Sequence, residues 1–127
     1  MRIAALAVAA AMVPGVAWAQ LPPVPELEMG VAVLGGLDKI TAQVVTIEAP
    51  VGVPVHFGAL EIVARACHKR RPEESPESAA FLDIWEIHQG QPAKGVFRGW
   101  MFASSPALSA MEHAVYDIWV LDCEKGR

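Results

Sequence analysis

Beyond its first residues the chain has no continuously apolar stretch approaching the ~20 residues a spanning helix needs, and the one early run, Ile3 to Val13, falls short of that length. It also lacks a positive excess. Ten Lys plus Arg stand against fourteen Asp plus Glu, a balance that disfavours nucleic-acid binding and gives no help toward anionic lipid. There is no phosphate loop, dinucleotide fingerprint, haem-attachment motif or Gly-x-Ser-x-Gly elbow, so no cofactor and no catalytic residue is assigned. Cysteine is scarce. Cys67 and Cys123 are the only two, neither belongs to a C-x-x-C pair, and none stands where a lipid-bearing cysteine would follow a cleaved leader.

What is present begins with an export signal. Arg2 supplies a positive start, Ile3 to Val13 an apolar core, Pro14-Gly15 a helix break, and Ala17-Trp18-Ala19 a small-x-small cleavage pattern. Residues 1–19 are therefore expected to be a signal peptide removed after Ala19, placing the mature chain in the periplasm with no membrane insertion after cleavage. Without Arg2 the remaining nine Lys plus Arg against fourteen Asp plus Glu give a formal charge of −5. In an oxidising compartment a Cys67–Cys123 disulfide is the default, and the long loop it closes contributes ~4 kcal/mol in the chain-entropy model. The competing use of these thiols is a metal site with His68, His88 and His113. Neighbours on a strand point to opposite faces, so Cys67 and His68 would not easily share an ion.

Residues 20–28 contain Pro22, Pro23 and Pro25, which favour an extended arm. From Met29 onward, residues 29–127 read as one β-domain. Val51, Val53, Val55 and Phe57 alternate with Gly52, Pro54, His56 and Gly58, and Leu60, Ile62, Ala64 and Ala66 continue that period opposite Glu61, Val63 and Arg65. Further strands are expected at Val31–Leu34, Ile40–Glu48, Ala80–His88, Val96–Ala103 and Val115–Cys123, bounded by Gly, Pro, Asp or Ser. Ser105 as a cap and Pro106 at the first helical position suggest a short helix between Ser104 and His113. The expected fold is all-β, a small antiparallel sandwich or barrel with one short helix, stapled by the disulfide.

Three groups of residues invite a functional reading. Asp83-Ile84-Trp85 and Asp117-Ile118-Trp119 repeat one tripeptide, and Arg98-Gly99-Trp100 offers the opposite charge at the same offset. Alternation puts charge and indole on one strand face, as an ion pair beside a Trp-rich cluster or as a ligand platform. The run His68 to Glu77 is basic at Arg70-Arg71 and acidic at Glu73-Glu74, a solvated loop or a charged docking site. Ser104 or Ser105 with His113 and an aspartate has the residue types of a hydrolytic triad without its sequence context.

Several blocks together are similar to a known family: Leu37 to Ala42, Phe57-Gly58, Cys67, Pro72 to Phe81, Gly99 to Leu108, Glu112-His113, and Tyr116-Asp117-Ile118-Trp119 through Cys123. They resemble Domain of Unknown Function family 2155 over nearly the whole mature chain. The resemblance implies a small exported bacterial protein without an established activity. It also suggests, by association, respiratory NADH dehydrogenase as a partner, because members' genes are often found near one for an accessory subunit of that complex. The leading expectation is thus a non-catalytic periplasmic accessory or binding module that docks onto an envelope protein through Arg70, Arg71, Glu73, Glu74, Trp100, Ser104, Ser105 and His113. The alternatives are a small serine-dependent hydrolase and a periplasmic metal-binding protein.

Overall fold

Alternating apolar residues between turn formers build eight strands in a computed structural model that describes residues 4, 9 and 21–126. Apart from residues 4 and 9, the expected leader and its expected cleavage site after Ala19 lie outside the described residues. The strands are β1 (Leu27–Glu28), β2 (Val31–Asp38), β3 (Gln43–Pro50), β4 (Val55–Phe57), β5 (Leu60–Lys69), β6 (Ser78–Glu86), β7 (Lys94–Phe102) and β8 (Tyr116–Glu124). One antiparallel sheet runs β1-β5-β6-β7 with β4 also on β5, and the other runs β3-β2-β8. The fold is all-β and sandwich-like, with a single short 3-10 turn at Pro106–Ser109 among the described residues.

Between the sheets lies a core of Leu34, Leu60, Ile62, Leu82, Ile84, Ile118 and Val120 with smaller alanines, all buried. Cys67 on β5 and Cys123 on β8 are fully buried and joined by a disulfide across the two sheets, their Cα atoms 5.7 Å apart. How each cysteine comes to face inward is not visible in a period-two pattern. In β5 the inward series is Leu60, Ile62 and Ala64; the register then shifts, Arg65 is left without a partner on β6, and the inward phase moves to Cys67. The alternation expected to put Ala66 inward is therefore corrected by a bulge. β8 repeats the device: Ile118 and Val120 are buried, Leu121 is the extra residue against β2, and Cys123 returns to the core. Both bulges stand two residues before a cysteine, and without them each thiol would face away from the other sheet.

Other boundaries move for local reasons. The strand expected from Ile40 starts at Gln43, because Asp38 Oδ1 accepts the N–H groups of Ile40 and Thr41 and Ala42 takes a φ of 58°, closing a turn that leaves Ile40 77% exposed. The alternation from Val51 is cut by a turn closed by the Val53 N–H donating to the Pro50 carbonyl, with the Gly52 N–H donating to the Ala64 carbonyl of β5, so only Val55–Phe57 pairs as a strand. Ser105 precedes the 3-10 turn and Pro106 opens it, yet the Ser105 side chain makes no capping bond and the turn ends after four residues.

Candidate functional site

The long β5–β6 connection returns to the sheet through Glu77, a carboxylate only 6% exposed. It accepts the Ser104 N–H at 3.1 Å and the Ser78 N–H at 3.0 Å, and the Ser104 hydroxyl also donates to it. Its partners among the described residues are thus neutral donors rather than a cation, an arrangement that satisfies buried oxygens and pins the loop to the segment after β7. Upstream, the Arg70 N–H donates to the Glu77 carbonyl, an Arg70 guanidinium N–H donates to the Ser75 carbonyl at 3.3 Å, and the Glu74 N–H donates to the Arg71 carbonyl. The loop is therefore internally braced while residues 71–76 remain exposed.

The N-terminal arm lies against this loop. Arg71 pairs with Glu26 at 3.3 Å, His68 Nδ1 is 2.9 Å from the carbonyl oxygen of buried Pro25, and a cavity of about 160 Å³ is lined by Pro23, Val24, Pro25, Arg70, Arg71 and Glu74 among others. His68 also meets Trp100 edge to face at 5.7 Å, and Trp100 meets Phe81 at 5.6 Å. A second cavity, of about 430 Å³, is lined by Lys69, Glu77, Ser78, Ser104 and Asp122 among others. Burial alone would raise the Asp122 carboxyl. Bonds from the Lys69 ammonium at 3.0 Å, its neighbour's N–H and the Ser78 hydroxyl outweigh that and hold it below the usual range.

Arg70, Arg71, Glu73, Glu74, Trp100, Ser104 and Ser105 thus share one end of the molecule. His113 does not. It sits by Glu86, at the far end of β6 from Ser78, roughly 25 Å away at strand rise. Its Nδ1 accepts the N–H groups of Val115 and Tyr116 at 3.0 and 3.2 Å, so the proton is on Nε2, which faces Glu86 at 3.3 Å. Hydrogen bonds from His88 and then His113 hold the Glu86 carboxyl below its ordinary range. With both ring nitrogens engaged and the serines at the other end, the Ser104/Ser105–His113 pairing is not assembled; Ser104 bonds to Glu77 instead. The metal reading is corrected too. Both sulfurs are spent in the disulfide, Cys67 and His68 face opposite ways, and no group of three His, Cys, Asp or Glu among the described residues is arranged to hold an ion.

The repeated tripeptide is divided between the sheets. Asp83 and Trp85 face outward from β6, with Arg98 opposite Asp83 in register, while Arg65 supplies the ion pair to Asp83 at 3.5 Å. Asp117 and Trp119 face outward from β8, where Lys39 pairs with Asp117 at 3.3 Å. In both copies the isoleucine is buried. The two copies share the inward isoleucine and a basic partner for the aspartate, but Asp83 is buried beneath its neighbours while Asp117 stays partly exposed. Sequence reasoning did not anticipate that the Trp119 indole lies on Gly35, where any Cβ would collide with it. The signal available was a glycine inside a strand, which marks a close approach. Glu77 was missed as well, because nothing in its neighbourhood distinguishes it from the exposed glutamates of the same loop.

Comparison with known proteins agrees with the blocks noted in the sequence. A family model described as "Uncharacterized protein conserved in bacteria (DUF2155)" matches residues 32–123. An uncharacterized protein of Rickettsia prowazekii (strain Madrid E) is 32% identical over 87 residues, covering 68% of this chain and 56% of the relative, so the chain spans about half of that protein's length. No solved structure matches. The chain belongs to the bacterial DUF2155 family.

Proposed function

We propose that this family member is a non-catalytic accessory module of the bacterial periplasm that docks onto an envelope protein with the end of the sandwich formed by the arm and the β5–β6 loop. The observation that carries the reading is the Glu77–Ser104 anchor: it fixes the root of a loop whose Arg71, Glu73 and Glu74 stay exposed. A charged surface held in one shape loses little freedom on binding, which is what a docking element requires. The leader pattern and the inter-sheet disulfide support an oxidising compartment. Within the class of envelope partners, respiratory NADH dehydrogenase is the one suggested by the family resemblance.

Affinity capture from solubilised membranes tests the reading. A specific membrane protein is expected with the native chain and is expected to be lost when Arg70 and Arg71, or Glu73 and Glu74, are replaced by alanine. Capture that is indifferent to both pairs would remove the loop from the interface. No capture would end the proposal.

A further inference from the structure

The edges of the two sheets are not treated alike. β1 has two residues; β7 is interrupted by a bulge at Val96 and starts with Lys94; β8 carries the Leu121 bulge and three acids, Asp117, Asp122 and Glu124. Such features are the usual protection of a sheet edge against further pairing. β3 has none of them along Gln43–Ala49. Its register with β2 is unbroken over eight residues, it pairs with β2 alone among the described strands, and Glu48 is its single charge. Every second residue of an antiparallel edge strand turns its N–H and C=O away from the neighbour it already has, so β3 presents a regular row of such groups.

Side-chain direction adds a second observation. Val45 lies opposite Gly36, on the same face as Ile47 and Ala49, which point to the core, yet it is 38% exposed. The core side of the sheet is open at this edge. Val44, at 65% exposure, and Thr46 occupy the outer face.

We propose that β3 is a self-association edge, which pairs antiparallel with β3 of a second copy to join two three-stranded sheets into one of six strands. A two-fold axis normal to the sheet keeps like faces together, which requires residues to meet in pairs of equal face. Centring the axis on Thr46 engages the whole of Gln43–Ala49 and leaves Pro50, which has no N–H, outside the pairing: Thr46 meets Thr46, Val45 meets Ile47, Val44 meets Glu48 and Gln43 meets Ala49 of the second copy. Charge is compatible throughout, since each Glu48 faces a valine and the two acids lie on opposite sides of the axis. Val45 gains an apolar neighbour on its open side. Threonine pairs and β-branched pairs are favourable across strands. One strand against one strand is a small interface, so a reversible, concentration-dependent dimer is expected.

Sedimentation velocity on the purified protein, from roughly 10 µM to 1 mM, reads the equilibrium directly. Thr46→Lys and Thr46→Glu each place like charges across the axis and are exposed enough to spare the fold. Each alone is expected to weaken association by about tenfold, and an equimolar mixture to restore it, because lysine then faces glutamate. A protein that stays monomeric over that range overturns the proposal, as does a dimer indifferent to both variants. If the native chain is monomeric and Thr46→Lys instead abolishes membrane-partner capture, the edge receives another protein's strand and self-association is wrong.

Discussion

Removing the disulfide tests whether the staple between the sheets acts mainly on the unfolded chain. Cys67 and Cys123 are 56 residues apart, so the closed loop holds the end of β5, all of β6 and β7 and β8 up to Cys123. In the chain-entropy model that closure is worth about 4 kcal/mol at 25 °C. Both sulfurs are fully buried, and alanine leaves no unsatisfied polar group in their place. The Cys67→Ala/Cys123→Ala double variant should therefore lose about 4 kcal/mol plus a smaller packing loss. For a domain of about 100 residues this corresponds to a fall in Tm of about 15–25 °C. Urea unfolding followed by tryptophan fluorescence measures it, with the oxidised native chain and the native chain under reductant as companions. Reduction alone should reproduce most of the loss. A loss below about 1 kcal/mol would refute the reasoning, since two sheets would then hold together without their covalent link and the closed loop would not govern the unfolded state.

Three further outcomes follow from particular contacts. Gly35→Ala should cost about 1–3 kcal/mol in urea unfolding by forcing the Trp119 indole off the sheet; in a Trp119→Ala background the same change should cost much less, and equal costs would mean the indole is not the obstacle. Ser104→Ala deprives buried Glu77 of its hydroxyl donor and should cost about 1–3 kcal/mol, with increased protease cutting between residues 70 and 77; an unchanged cutting pattern would show that the anchor does not hold the loop. Glu86 and Asp122 have folded pKa values below their unfolded ones, so the stability each gives is present above pH ~4 and is lost as pH falls through the folded value. Asp122→Asn should flatten the acid limb of stability against pH, and an unchanged limb would remove Asp122 from it.

Much of the fold was legible because burial imposes period two on strands: the core series Leu60, Ile62, Ala64 and the pairs around Ile84 and Ile118 stand plainly in the sequence. The cysteine pairing was legible from the count of two and the expectation of export. The direction of those cysteines was not, since Arg65 and Leu121 become bulge residues only against a partner strand whose register the sequence does not display. The Asp-Ile-Trp repeat carried correct local information, an outward charge and indole around an inward isoleucine. It carried no topology, and β6 and β8 lie in different sheets. At the candidate site, composition marked Arg70 to Glu74 as charged and Ser104-Ser105 as polar, whereas their joining through Glu77 depends on a contact 27 residues apart in the chain. His113 illustrates the opposite error: residue type suggested chemistry beside the serines, but backbone N–H groups and Glu86 fix it at the other end.

The most direct measurement is quantitative capture of membrane protein by the native chain beside its Glu73→Ala/Glu74→Ala and Arg70→Ala/Arg71→Ala forms, each checked for native unfolding behaviour. A docking module predicts one specific envelope partner, retained by the native chain and released by both loop variants. Equal retention by all three, or the absence of any specific partner, would contradict it.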